Sequence, residues 1–227
     1  MSSEITLYMP ESSSIRVIEC SPPSWMVQLA LEEKELNYQV RLLSFAAGEH
    51  RSPEMLARNP RGTVPVLTDG PIAVYETFAI FEYLEHAYPD VPLLPGTNAL
   101  RGLALTRLHE SAHLKSAGME LFSYLMKTRG LDLDPGEVDR RAGIFHDELF
   151  YWEYYYGVSH YAAGTALSYA DISVFTYVAT AVHLGLPLDE RYPNLKRFYE
   201  RMKGRIAVVT TWPPWKSAPY AYLSETV

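Results

Sequence analysis

The stretch Pro89-Asp90-Val91-Pro92-Leu93-Leu94-Pro95-Gly96 constrains this chain more than any other feature. Three prolines and a glycine in eight residues remove backbone donors and fix or free φ at the wrong places for either a helix or an inner strand. The packing before and after it must therefore be solved separately. Upstream, short β-branched runs alternate with helical spacing; downstream, from Ala99, the pattern is almost wholly helical. A chain of 227 residues has room for two such cores. The reading is an α/β domain with a mixed sheet followed by an all-α bundle, split as an extension over 1–14, a first domain over 15–90 and a helical domain with an irregular tail over 97–227.

Within the first domain, Ile15-Arg16-Val17-Ile18-Glu19 reads as the opening strand. The earlier Ile5-Thr6-Leu7-Tyr8-Met9 is strand-like but cut off by Pro10 and three serines, so its part as an edge strand, a cover or a free arm stays open. A proline-rich turn, Cys20 to Ser24, leads into a helix whose apolar positions run from Trp25 to Leu36. Strands follow at 38–43, 64–68 and 72–74, the last two joined by Asp69-Gly70, and a helix spans 76–88. The second domain is expected to hold helices at about 99–129, 135–157, 170–184 and 192–204.

Charge narrows the partners. A formal net charge of −7 with scattered Lys and Arg leaves no basic stripe for nucleic acid. No apolar run approaches the ~18 residues of a bilayer span, and the start, Met1-Ser-Ser-Glu4, lacks a secretory signal's basic and apolar segments, so a cytoplasmic protein is expected. Cys20 is the one cysteine, which rules out an internal disulfide or a two-cysteine redox motif. His109 and His113 are four apart but lack the intervening Glu of a metalloprotease helix and any third ligand, so no metal is expected.

Four motifs in order resemble the cytosolic glutathione S-transferase superfamily: Ser21-Pro-Pro-Ser-Trp-Met-Val at the first turn, Asn59-Pro-Arg-Gly-Thr-Val-Pro-Val-Leu, Tyr75-Glu-Thr-Phe-Ala-Ile-Phe before an apolar helix, and Ser168-Tyr-Ala-Asp171. The resemblance is to serine-type, theta- or zeta-like members. It implies a thioredoxin-like first domain that binds glutathione as co-substrate, a helical domain, a small hydrophobic electrophile as second substrate, a detoxifying role and a homodimer. Thr77 departs mildly from the usual Ser, and Pro22-Pro23 from some classes.

The resemblance makes Ser21 the hydroxyl that stabilises the glutathione thiolate, since the thiolate is the nucleophile and lies mostly protonated in water. Ser24 and Cys20 are the alternatives: Ser24 as hydroxyl donor or as the cap of a helix starting at Trp25, and Cys20 as a thiol for mixed disulfides or as a buried apolar residue. It also implies that Val64, ahead of a cis-prone Pro65, pairs its backbone with the cysteinyl part. Glu76 and Thr77 at a helix start suit the γ-glutamyl zwitterion. His50, with Arg51 and Arg61 near, would face the glycine carboxylate. Ser168 and Asp171 form a capping box, a structural role. Trp25, His109, His113, Met119 and Tyr124 could line a second-substrate pocket between the domains, or simply be core. Two other functions stay open: a non-catalytic module on the same fold, and a glutathione-dependent thiol reductase or isomerase.

Overall fold

The structure is a computed structural model that describes residues 4–15, 19–128 and 133–215. It divides into two compact units, the first ending at Leu93 and the second beginning at Leu94, within the proline-rich stretch.

The first unit orders as β1 (Ile5–Pro10), α1 (Pro22–Glu33), β2 (Tyr38–Leu43), α2 (Pro53–Arg58), β3 (Val66–Asp69), β4 (Ile72–Tyr75) and α3 (Thr77–Ala87). The sheet runs β2-β1-β3-β4. β1 and β2 are parallel, in register from Ile5 opposite Tyr38 to Pro10 opposite Leu43. β3 is antiparallel to both β1 and β4, with Tyr8 opposite Val66 and Val66 opposite Tyr75. A βαβ unit followed by ββα is the thioredoxin-like arrangement. Its core is closed by Leu7, Val27, Leu31, Val66, Leu67, Ile80 and Leu84, none of them solvent-accessible; each such burial is worth about 1.5–3 kcal/mol.

The first strand corrects the sequence reading. Ile5–Pro10 is the inner strand β1, not part of an extension over 1–14. Of the run expected as the opening strand, Ile15 ends a short 3-10 turn (Ser12–Ile15) and Glu19 has φ of +47°; residues 16–18 lie outside the described residues. The physical reason is burial. A strand covered on both faces shows no clean alternation, and Ile5, Leu7 and Tyr8 are all buried. Pro10 is tolerated because it ends the strand. The connection after it is pinned to β2: the Glu11 N–H donates to the Leu43 carbonyl, and the Phe45 N–H to Ser14 Oγ, both at 3.0 Å.

A buried ion pair fastens the end of this unit. Lys34, fully buried in its side chain, reaches Glu85 at 3.1 Å and donates to the Val91 carbonyl at 2.7 Å, while the Leu93 N–H donates to the same Glu85 oxygen at 3.0 Å. Removing one charge from such a pair leaves the other unpaired in a poor solvent. Glu85→Gln, which keeps an acceptor but not the charge, is expected to cost about 2 kcal/mol. Urea unfolding followed by circular dichroism measures it, and an unchanged midpoint would show that water already carries the pair.

The second unit contains α4 (Asn98–Thr128), α5 (Pro135–Val158), α6 (Tyr169–His183), α7 (Pro193–Lys203) and α8 (Ile206–Thr211). The short α8 had no strong periodic signal. The tail was expected to be irregular from Thr211; residues 216–227 lie outside the described residues. α6 is the central helix, buried along almost its whole length. α4 meets it closely enough for Ser111 Oγ and Ser173 Oγ to share a 2.7 Å hydrogen bond. At its start, Asp171 accepts from Ser168 N–H (2.8 Å), Ser168 Oγ (2.7 Å), Ala162 N–H (2.7 Å) and Tyr156 OH (3.2 Å). Burial outweighs those donors and pushes its carboxyl up to about 6.

Candidate active site

The candidate residues of the first unit hang from one end of its sheet. β1 and β2 point their C-terminal ends the same way, β3 begins there because it is antiparallel to β1, and β4 ends there because it is antiparallel to β3. Ser21 follows β1, His50 follows β2, Val64 and Pro65 precede β3, and Glu76 and Thr77 follow β4. Residues separated by up to 56 positions in sequence thus leave the sheet at one rim, where open α/β folds seat their ligands.

Ser21 is the N-cap residue of α1 in extended conformation (φ −104°, ψ 100°), and its carbonyl accepts from the Trp25 N–H at 2.9 Å. Pro22 and Pro23 fill the first helical positions, where no N–H is needed and φ is already right. The helix therefore starts at Pro22, and Ser24 is not the cap of a helix starting at Trp25 but a residue of the first turn. Ser21 does not cap with its side chain either. Its Oγ lies 3.0 Å from Ser24 Oγ. Ser21 is half-buried, whereas Ser24 has no exposed surface. Cys20 is buried, and burial drives its thiol far above the ordinary range, the opposite of what a reactive thiolate requires.

The segment after β2 is a tight turn in which Glu49 accepts from the Ser44 N–H at 2.7 Å and Ser52 caps α2 through the Met55 N–H. His50 packs its ring on Phe45 with centroids 4.2 Å apart, and its Nδ1 is buried with no hydrogen-bond partner among the described residues. Such a nitrogen is an open valence for a ligand or water. Arg51 is exposed, its stem against Gly62, where a Cβ would sit 3.0 Å from Arg51 Cγ.

Before β3 the turn Asn59–Thr63 is held by a residue whose part the sequence did not reveal. Asn59 is buried; its Nδ2 donates to the Thr63 carbonyl at 2.8 Å and its Oδ1 accepts from the Arg61 N–H at 3.0 Å. Gly62 takes φ of +61° in the same turn, a conformation glycine adopts without steric cost. The signal was present in Asn59-Pro60-Arg61-Gly62, a turn composition. The following Val64-Pro65 peptide bond is cis; Val64 is half-buried and packs on Tyr8, Leu43, Met55 and Val66.

Glu76 precedes α3 with φ of +68°, a region costly for a side chain bearing Cβ and concentrated at functional sites. Its carboxylate is 63% exposed and 3.9 Å from the Arg61 guanidinium. Thr77 is the first residue of α3, whose free N–H groups and positive dipole end favour an anion.

The residues considered for a second substrate separate. Trp25 is core, and Tyr124 uses its OH to accept from the Asp134 N–H at 2.9 Å. His109 is exposed and Met119 half-buried. His113 lines a cavity of about 270 Å³ within the second unit, together with Glu110, Glu148, Tyr151, Trp152 and Tyr155. Among the described residues no helix is long and apolar enough to cross a membrane, and no group of three His, Cys, Asp or Glu is arranged to hold a metal.

Residues 20–87 match the glutathione S-transferase N-terminal domain and residues 142–210 the glutathione S-transferase C-terminal domain. The chain is 35% identical over 205 residues to glutathione S-transferase A of Pleuronectes platessa, covering 88% of this chain and 91% of that protein. It is 31% identical over 193 residues to a probable glutathione S-transferase of Oryza sativa subsp. japonica, covering 80% and 87%. Its fold is shared with the crystal structure of a glutathione S-transferase from the Antarctic clam Laternula elliptica at a TM-score of 0.84 and 34% identity, over 99% of this chain and 100% of that one. With both domain matches, this identity over most of its length and this fold, the chain belongs to the glutathione S-transferase family.

Proposed function

We infer that this chain is a glutathione transferase of the serine type, binding glutathione at the sheet rim of its first unit and activating the thiol through Ser21. The observation that carries the reading is the gathering of Ser21, His50, Val64, Pro65, Glu76 and Thr77 at one end of the sheet. Each supplies what one part of the tripeptide needs. The free N–H groups at Thr77 take the γ-glutamyl carboxylate, and the Glu76 carboxylate takes its ammonium. The Val64 backbone pairs with the cysteinyl amide like an added strand. His50, on the loop after β2, takes the glycine carboxylate. That leaves the sulfur at Ser21, whose O–H donates to it and favours the thiolate; the α1 dipole acts in the same sense.

The thiol proton passes to solvent as the thiolate forms; the thiolate then attacks a small hydrophobic electrophile, the C–S bond forming as a leaving group departs with its electron pair or as the π bond of an activated alkene opens and takes up a proton from solvent. Burial of Cys20 favours conjugation over thiol reduction. A homodimer, a cytoplasmic setting and a detoxifying role accompany this reading as properties of the family.

His50→Ala is expected to weaken glutathione binding about five- to tenfold without changing kcat at saturating glutathione. Calorimetric titration with glutathione tests it. An unchanged Kd would remove His50 from the site.

A further inference from the structure

Ser24 is the third residue of α1, in its first turn, with no exposed surface. Its Oγ has one hydrogen-bond partner among the described residues, Ser21 Oγ at 3.0 Å. The two hydroxyls are not equivalent. A buried hydroxyl that does not donate leaves its proton unsatisfied, which is costly, whereas half-buried Ser21 can turn its proton towards solvent or a ligand. The direction of the bond follows: Ser24 donates and Ser21 accepts.

We propose that Ser24 is a positioning residue whose buried hydroxyl donates to Ser21 Oγ and so aims the Ser21 proton outward at the glutathione sulfur. This rests on the assignment of Ser21 as thiolate-stabilising hydroxyl. Two consequences follow from the geometry. Ser21 loses the rotamer in which its proton turns inward to Ser24, so the outward one is populated before glutathione arrives. A hydroxyl that accepts one hydrogen bond is also a stronger donor of the next. Ser24 touches neither the sulfur nor the electrophile. No bond forms or breaks at Ser24, and its proton stays on its own oxygen throughout.

The test measures the pKa of bound glutathione from the ultraviolet absorbance of its thiolate, together with the pH profile of kcat/KM. It compares wild type, Ser24→Ala, Ser24→Cys, Ser21→Ala and the Ser21→Ala/Ser24→Ala double variant. Ser24→Cys fills the space but donates only weakly. Ser24→Ala is expected to raise the bound thiol's pKa by about 0.5–1 unit with the Kd for glutathione unchanged. Ser24→Cys should fall between it and wild type, and the double variant should be no worse than Ser21→Ala alone. If Ser24→Ala leaves the pKa unmoved while Ser21→Ala raises it, the inference fails and the Ser21 assignment stands. If neither variant moves it, both fall. Additive losses in the double variant would also overturn the inference, because Ser24 would then act by a route other than Ser21.

Discussion

Asp171→Ala is expected to lower the stability of the helical unit by about 4 kcal/mol, the largest effect of any single substitution considered. The carboxylate accepts from four donors and has no exposed surface. Two of those donors are backbone N–H groups, of Ser168 and Ala162, that alanine would leave buried and unpaired. Each such orphan costs about 1–3 kcal/mol, and the Tyr156 hydroxyl and the cap of the central helix are lost with them. Ser168→Ala, which removes one donor and leaves the carboxylate in place, should cost about 1 kcal/mol. Urea denaturation followed at 222 nm measures both, and a loss below about 1 kcal/mol for Asp171→Ala would show that water replaces the network.

Ser21→Ala is the second large effect, and it falls on rate instead of stability. Deleting a preorganised donor to a developing or stored negative charge typically costs 10²–10³ in kcat. A loss of roughly a hundredfold in kcat/KM for conjugation is expected here. Ser21 makes no side-chain cap to its helix, so stability should be nearly unchanged and glutathione should still bind. That separation distinguishes a chemical role from a structural one. A variant that conjugates at the wild-type rate would move the thiolate-stabilising group elsewhere.

The legibility of the fold in the sequence followed burial. α3, α4, α5 and α7 are readable from apolar positions at helical spacing and α6 from the Ser168-x-x-Asp171 signal at its start, whereas α8 carries no strong periodic pattern; β2, β3 and β4 are readable because short apolar runs end at Asp69-Gly70 and similar turns. β1 was not readable. Ile5–Pro10 is covered on both faces, so it lacks alternation, while Ile15–Glu19 mimics a strand in composition but joins no sheet where it is described. A central strand can be recognised only by knowing its neighbours, and those are distant in sequence. Helix α1 begins three residues before Trp25 because Pro22 and Pro23, turn formers by composition, are favourable at a helix start.

The site shows the same division. Val64-Pro65, Glu76-Thr77 and Ser21 were visible as motifs, each a local pattern. The buried Asn59 that holds the turn before Val64, the left-handed φ of Glu76 and the hydroxyl pair Ser21–Ser24 were not. Those depend on which way side chains and backbone turn in the folded chain. That all the motifs lie at one rim follows from strand order, which hinges on β1.

Calorimetric titration of the full chain with glutathione decides whether the first unit takes the tripeptide. Saturable binding is expected, one site per chain, with a Kd of about 0.1–1 mM and retained in Ser21→Ala. No heat of binding up to about 10 mM glutathione would contradict it and leave a protein of this family whose first unit does not take the tripeptide.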